Sequence, residues 1–148
     1  MADVENEDIM TFMAEYANGA IGQIACSRVA TGRKNYLCYE IQGTKGSVRY
    51  DLERMGEVQV YFQDDNERDR GFRTVLLNPL MKGYSAFQPA GGISIAYNYM
   101  KILEMHTLFD AITNGAEYVT DFEFGYKIDR TVAAVIESSK TRQWVDVK

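Results

Sequence analysis

Hydrophobic and polar residues alternate with a period of two through the first half of the chain, as in strands that turn one face to a core. Residues 10–16 form the first such segment, ending at Asn18-Gly19. Both of those residues tolerate positive φ and so close a hairpin, with 20–29 as the partner strand. After the polar loop Thr31-Gly32-Arg33-Lys34-Asn35, the segment 36–42 sets Leu37, Tyr39 and Ile41 on one face and Cys38, Glu40 and Gln42 on the other. Gly43-Thr44-Lys45-Gly46 turns the chain back. In 47–52, Val48, Tyr50 and Leu52 face inward and Ser47, Arg49 and Asp51 outward. Val58, Val60 and Phe62 repeat the pattern, and 72–77 closes the run. Connections of hairpin length dictate antiparallel neighbours. One sheet face is predicted to be apolar throughout.

The period is then lost. Residues 78–95 hold both prolines, Pro79 and Pro89, and Gly91-Gly92. An irregular segment of that length is more often functional, or a lid, than idle. Helical spacing begins with Tyr99, Ile102, Leu103, His106, Phe109 and Ile112 and stops at Asn114-Gly115. A second helix is predicted from an N-cap at Asp121 through Ile128, Val132, Val135, Ile136 and Ser139. Residues 144–147 read as a short final strand. The expected fold is α+β, an open-faced, mostly antiparallel sheet with two main helices packed on one face, in a single domain over 1–148. Two helices cover one face only. The other carries Ile9, Thr11, Met13, Ile21 and Ala25, then Tyr36 and Cys38. It is too apolar to be simply wet, so a homo-oligomer through this face is expected, against the alternative of a tyrosine-rich solvated sheet.

Composition narrows the classes. At 148 residues, with 46% hydrophobic and 25% charged residues, the chain has the make-up of one ordinary globular domain. No apolar run approaches the roughly 18 residues a membrane span needs. The opening residues 1–8 are acidic, unlike a secretory leader, so a cytoplasmic location is expected. A net charge of −5 argues against a nucleic-acid partner, which requires a basic face. The charged run 64–70 mixes both signs between strands, as a solvated hairpin tip does; a partner site is the alternative. Cys26 and Cys38 lie in apolar runs and read as buried small hydrophobes. With a single histidine and no cysteine pair at ligand spacing, no metal site is expected.

No catalytic constellation is complete. Gly19-Ala20-Ile21-Gly22 and Gly43-Thr44-Lys45-Gly46 both lack the G-x-G core of a dinucleotide fingerprint, and neither joins a strand to a helix. His106 lies on an apolar helix face, where a core or interface role is commoner than general-base work. Two places suit a ligand better. Arg33, Lys34 and Asn35 put two cations and an amide in one loop, able to hold hydroxyls or a carboxylate, or simply forming an exposed basic turn. Tyr97, ahead of the core-type Tyr99, can hydrogen-bond a sugar hydroxyl while stacking on its C–H face.

Several ordered pieces carry a family resemblance. They are Asn18-Gly19-Ala20-Ile21-Gly22 with Ser27-Arg28, and the stretch from Tyr39-Glu40-Ile41-Gln42 through Gly46-Ser47-Val48. Phe109-Asp110-Ala111-Ile112, Asp121-Phe122 and Gly125 follow, then Ala133-Ala134-Val135-Ile136-Glu137-Ser138-Ser139 leading to Trp144-Val145. Together they resemble, over nearly the whole chain, the C-terminal domain of the glucose–fructose oxidoreductase / inositol dehydrogenase / MocA family. The resemblance implies a domain that follows a Rossmann domain, oligomerises through its bare sheet, and serves hydride transfer between NAD or NADP and a sugar, cyclitol or polyol. It implies substrate contacts at Arg33, Asn35 and Tyr97. The family's dinucleotide fingerprint, its Glu-Lys-Pro lysine and its Asp-x-x-x-His pair do not occur here: no lysine stands between Glu and Pro, and Ile102 lies four residues before His106. No catalytic, cofactor-binding or metal residue is therefore assigned to the chain. It is expected to be the substrate-side half of a longer dehydrogenase, inactive alone and without its dinucleotide-binding domain. The alternative is a free-standing module that dimerises through its open sheet.

Overall fold

The structure, a computed structural model, describes residues 6–81 and 83–147. The acidic opening read above lies partly outside the described residues. Six strands precede two helices: β1 (Ile9–Glu15), β2 (Ile21–Ser27), β3 (Cys38–Gly43), β4 (Gly46–Asp51), β5 (Glu57–Phe62), β6 (Arg73–Leu76), α1 (Tyr97–Asn114) and α2 (Phe122–Thr141). All ladders are antiparallel, β1-β2 in one sheet and β3-β4-β5-β6 in the other. The class is α+β. By contact density the chain forms two compact units, one of β1, β2 and α2, the other running from Arg33 to Glu117.

In the first unit the hairpin closes where Asn18-Gly19 predicts it. Gly19 sits at φ 82°, its N–H donates to the Tyr16 carbonyl at 2.8 Å, and Asn18 Oδ1 accepts from the Ala20 N–H at 3.1 Å. The register pairs Thr11 with Ala25 and Met13 with Gln23. Met10, Phe12, Ala14, Gly22 and Ile24 are therefore the half-buried face, while Ile9, Thr11, Met13, Ile21 and Ala25 are exposed. Asp121 caps α2, its Oδ1 accepting from the Phe124 N–H at 2.8 Å. The face of α2 turned inward is not the Ile128–Val132 stripe, which is exposed, but the set Thr131, Ala134, Val135 and Ser138 at i, i+3, i+4 and i+7. Val135 of this set belongs to the predicted stripe; Thr131, Ala134 and Ser138 are too small or too polar for hydropathy to mark them. The predicted strand at 144–147 belongs to no ladder. These residues run beside β1 and α2, lining with Phe12 and Ala134 a hollow of about 750 Å³.

In the second unit the residues of the predicted apolar face line up across the strands, but Leu37, Tyr39, Ile41 and Phe62 of that face are exposed rather than turned to a core. Its register aligns Ile41 with Val48 and Val48 with Val60, sets Tyr39 against Tyr50, and pairs Val58 with Val75. The Tyr39 and Tyr50 ring centroids lie 5.4 Å apart. Burial pushes the Tyr50 phenol above its ordinary pKa, with neighbouring Tyr39, Tyr84 and Asp51 acting the same way. In the tip at 64–70, Arg68 pairs with Asp69 at 3.0 Å, and Asp65 pairs with Arg73 of β6 at 2.8 Å.

The described residues of 78–95 are irregular, as expected, and mostly exposed, but the segment is anchored at a few points. The Leu77 N–H donates to the Gly56 carbonyl and the Gly92 N–H to the Leu77 carbonyl, both at 2.9 Å. Leu77, Gln88 and Ile95 are buried. α1 ends at Gly115, φ 67°, whose N–H donates to the Ala111 carbonyl. Its half-buried side chains include Met100, Leu103, Leu108 and Ala111, whereas Phe109 and Ile112 of the predicted stripe are 60% and 67% exposed. Both cysteines are exposed too. Cys26 lies near the end of β2, and Cys38 starts β3, an edge strand that no ladder flanks on its outer side.

Candidate functional site

The loop from Arg33 to Leu37 is tied to the 3-10 turn Leu52–Arg54 that follows β4. Asp51 begins that turn by accepting the Glu53 N–H on its side chain at 2.9 Å. The turn points the Glu53 carboxylate at the loop. Oε1 accepts the Lys34 backbone N–H at 2.9 Å, and Oε2 accepts the Arg33 guanidinium at 3.3 Å. Beyond them, the Leu52 N–H donates to the Leu37 carbonyl at 2.9 Å. The Arg33 guanidinium also lies over the Tyr36 ring, 3.7 Å from its centroid. The Lys34 amide holds the Glu53 carboxyl below its ordinary pKa; the Arg33 guanidinium acts the same way, and desolvation opposes them.

Arg33 is thus engaged by a carboxylate and a ring, although a guanidinium with five N–H donors keeps some for a ligand. Asn35 is exposed, and its side chain has no hydrogen-bond partner among the described residues. Tyr97 opens α1, about half-exposed, with Lys101 Nζ 5.7 Å from its ring centroid. Glu104 holds that ammonium at 2.7 Å and raises its pKa. Arg33 and Asn35 stand in one loop. No hydrogen bond, ion pair or ring contact joins that loop to Tyr97 among the described residues. Sequence reasoning missed Glu53 and Tyr36. Glu53 lies 19 and 20 residues from the groups it holds, a separation without local periodicity.

Among the described residues no group of His, Cys, Asp and Glu is placed to hold a metal ion, and no helix is long and apolar enough to cross a membrane. Neither helix follows directly on a strand, and every ladder is antiparallel, so the βαβ crossover that aims a helix N-terminus at a pyrophosphate is lacking among the described residues. At the start of α2, the Asp121 carboxylate already takes an amide and Glu123 adds a second negative charge, which repels phosphate.

The profile of the "Oxidoreductase family, C-terminal alpha/beta domain" matches residues 2–147. Levoglucosan dehydrogenase of Pseudarthrobacter phenanthrenivorans is 40% identical over 145 residues, which is 98% of this chain and 37% of that protein. A levoglucosan dehydrogenase solved in complex with NADH and levoglucosan superposes with a TM-score of 0.95 at 38% identity, over 99% of this chain and 40% of the other. An NAD binding oxidoreductase from Klebsiella pneumoniae gives a TM-score of 0.92 at 34% identity, over 99% and 40%. The chain spans about two fifths of the length of these relatives.

Proposed function

The chain belongs to the oxidoreductase family as its C-terminal alpha/beta domain, and on that premise we propose that it is the substrate-side and assembly half of an NAD(P)-dependent dehydrogenase of a sugar, cyclitol or polyol. The observation that carries this reading is its likeness, from end to end, to two fifths of a dehydrogenase solved with NADH and levoglucosan. In this reading NAD or NADP is held by an N-terminal Rossmann domain outside the matched portion. The chain contributes one wall of the substrate pocket through Asn35, Arg33 and Tyr97 and catalyses nothing alone. Hydride transfer requires a held nicotinamide and a general acid or base beside the reacting carbinol. The residues of this chain are suited to binding instead. An amide, a guanidinium and a phenol can fix polyol hydroxyls, while an aromatic ring covers a C–H face.

The same reading gives the β1–β2 outer face an occupant, a second copy of the chain. Ile9, Met13 and Ile21 stand on it, 62%, 59% and 71% exposed. A patch of this kind supports self-association of symmetric copies.

Titrating the nitrogen-15-labelled chain with levoglucosan tests the pocket assignment. The backbone amides of Asn35 and Tyr97 and the side-chain amide of Asn35 should shift in a saturable manner. Saturable shifts confined to other residues, or none at all, would contradict it.

A further inference from the structure

We propose that Glu53 is a positioning residue for the 33–36 loop: its carboxylate ties down the Lys34 amide and the Arg33 guanidinium, leaving Asn35 as the loop's open polar contact. The role rests on the pocket reading above, but the clamp itself rests on geometry.

The two Glu53 oxygens hold different groups. Oε1 takes a backbone N–H at 2.9 Å, fixing the path of the main chain, and Oε2 takes a side-chain cation at 3.3 Å. Arg33, so held, lies 3.7 Å from the centroid of the Tyr36 ring, which braces the far side of the loop. The Glu53 backbone is itself fixed by Asp51, through the 2.9 Å bond that starts the turn. The adjacent Leu52 N–H closes the loop onto the same turn at Leu37. Between these ties lies Asn35, whose carbonyl accepts the Leu37 N–H at 3.1 Å and whose side-chain amide is uncommitted among the described residues. An amide that both donates and accepts, presented on a loop with few conformations open to it, reads a polyol hydroxyl at low entropic cost. The charge on Arg33 is partly neutralised within the protein, although its remaining N–H donors stay open to a ligand. Asn35 rather than Arg33 sets which hydroxyl is recognised.

The test uses nitrogen-15-labelled chain at a series of pH values. The Lys34 amide resonance should follow ionisation of the Glu53 carboxyl, with a midpoint below the ordinary glutamate value of about 4.3. The sign is that of an acid whose charged form is favoured: the clamp is complete above this midpoint and released as pH falls through it. Glu53→Gln should abolish the titration and weaken the levoglucosan response of Asn35 about tenfold, the effect of losing one charge-assisted contact. Glu53→Asp, which keeps the charge, should recover part of both. Unchanged exchange protection along α2 would show that each variant is folded. A Lys34 amide that ignores Glu53, or an Asn35 response undiminished in Glu53→Gln, overturns the proposal. A Lys34 amide that titrates in a chain unresponsive to the sugar upholds the clamp and sinks the pocket reading instead.

Discussion

Gly46 must be glycine for reasons that local sequence only half displays. The Gly43-Thr44-Lys45-Gly46 pattern announces a turn, and the two glycines pair across it. What it does not announce is that a Cβ on Gly46 would overlap the backbone carbonyl oxygen of Tyr61 on β5. A Cβ on Gly43 would meet nothing nearer than the Gly46 carbonyl oxygen at 3.5 Å, an ordinary contact. Gly46→Ala should therefore cost about 1–3 kcal/mol, because backbone cannot move aside as a side chain can. Gly43→Ala should stay within about 0.5 kcal/mol. Urea denaturation of the two variants separates them. Glu53 shows the same limit at the level of charge. The basic loop at 33–35 is visible in the sequence, but the acid that holds it arrives from a turn about twenty residues later. Only the fold brings the two together.

Elements were legible where their signals are local. The Asn18-Gly19 hairpin, the strand alternation through Phe62, the Gly115 stop and the Asp121 cap all depend on residues within a few positions of one another. Asp121→Ala should destabilise the chain by about 1 kcal/mol and speed hydrogen exchange at the Phe124 amide, whereas Asp121→Asn, which keeps an acceptor, should change either much less. Equal losses in the two variants would show that the cap contributes nothing through its hydrogen bond. Facing and pairing were less legible. The inward side of α2 keeps Val135 and Ile136 of the predicted stripe but adds Thr131, Ala134 and Ser138, residues too small or too polar to register in one. Residues 144–147 have strand composition without a strand to pair with, and a ladder needs two partners. Cys26 and Cys38 sit among apolar residues and yet stand exposed, for neighbours in sequence do not decide which face a strand turns outward.

For the molecule as a whole, exposed apolar surface matters most. Among the described residues Leu77, Ile95 and Ala134 are the buried hydrophobic side chains, while Ile9, Met13 and Ile21 on the sheet and Phe109 and Ile112 on α1 remain in solvent. Surface of this kind is suited to covering by other protein. The sequence already placed Ile9, Met13 and Ile21 on one uncovered face; it did not reveal that the α1 stripe is uncovered as well, because helical spacing looks the same whether the stripe meets a core or a partner. If copies of the chain associate through β1 and β2, an Ile21→Lys, Met13→Lys pair should shift its sedimentation coefficient toward the monomer without loss of strand content. An unshifted coefficient in an associated chain would place the interface elsewhere.

The central claim is a division of labour, in which this chain contributes a sugar-side wall and the nicotinamide cofactor is held outside it. Titration of the 148-residue chain with NADH, followed by the cofactor's own fluorescence, tests this most directly. The expected result is a linear signal with no saturation. Saturable binding at micromolar NADH would contradict it, since it would require a dinucleotide site within these antiparallel ladders and two helices.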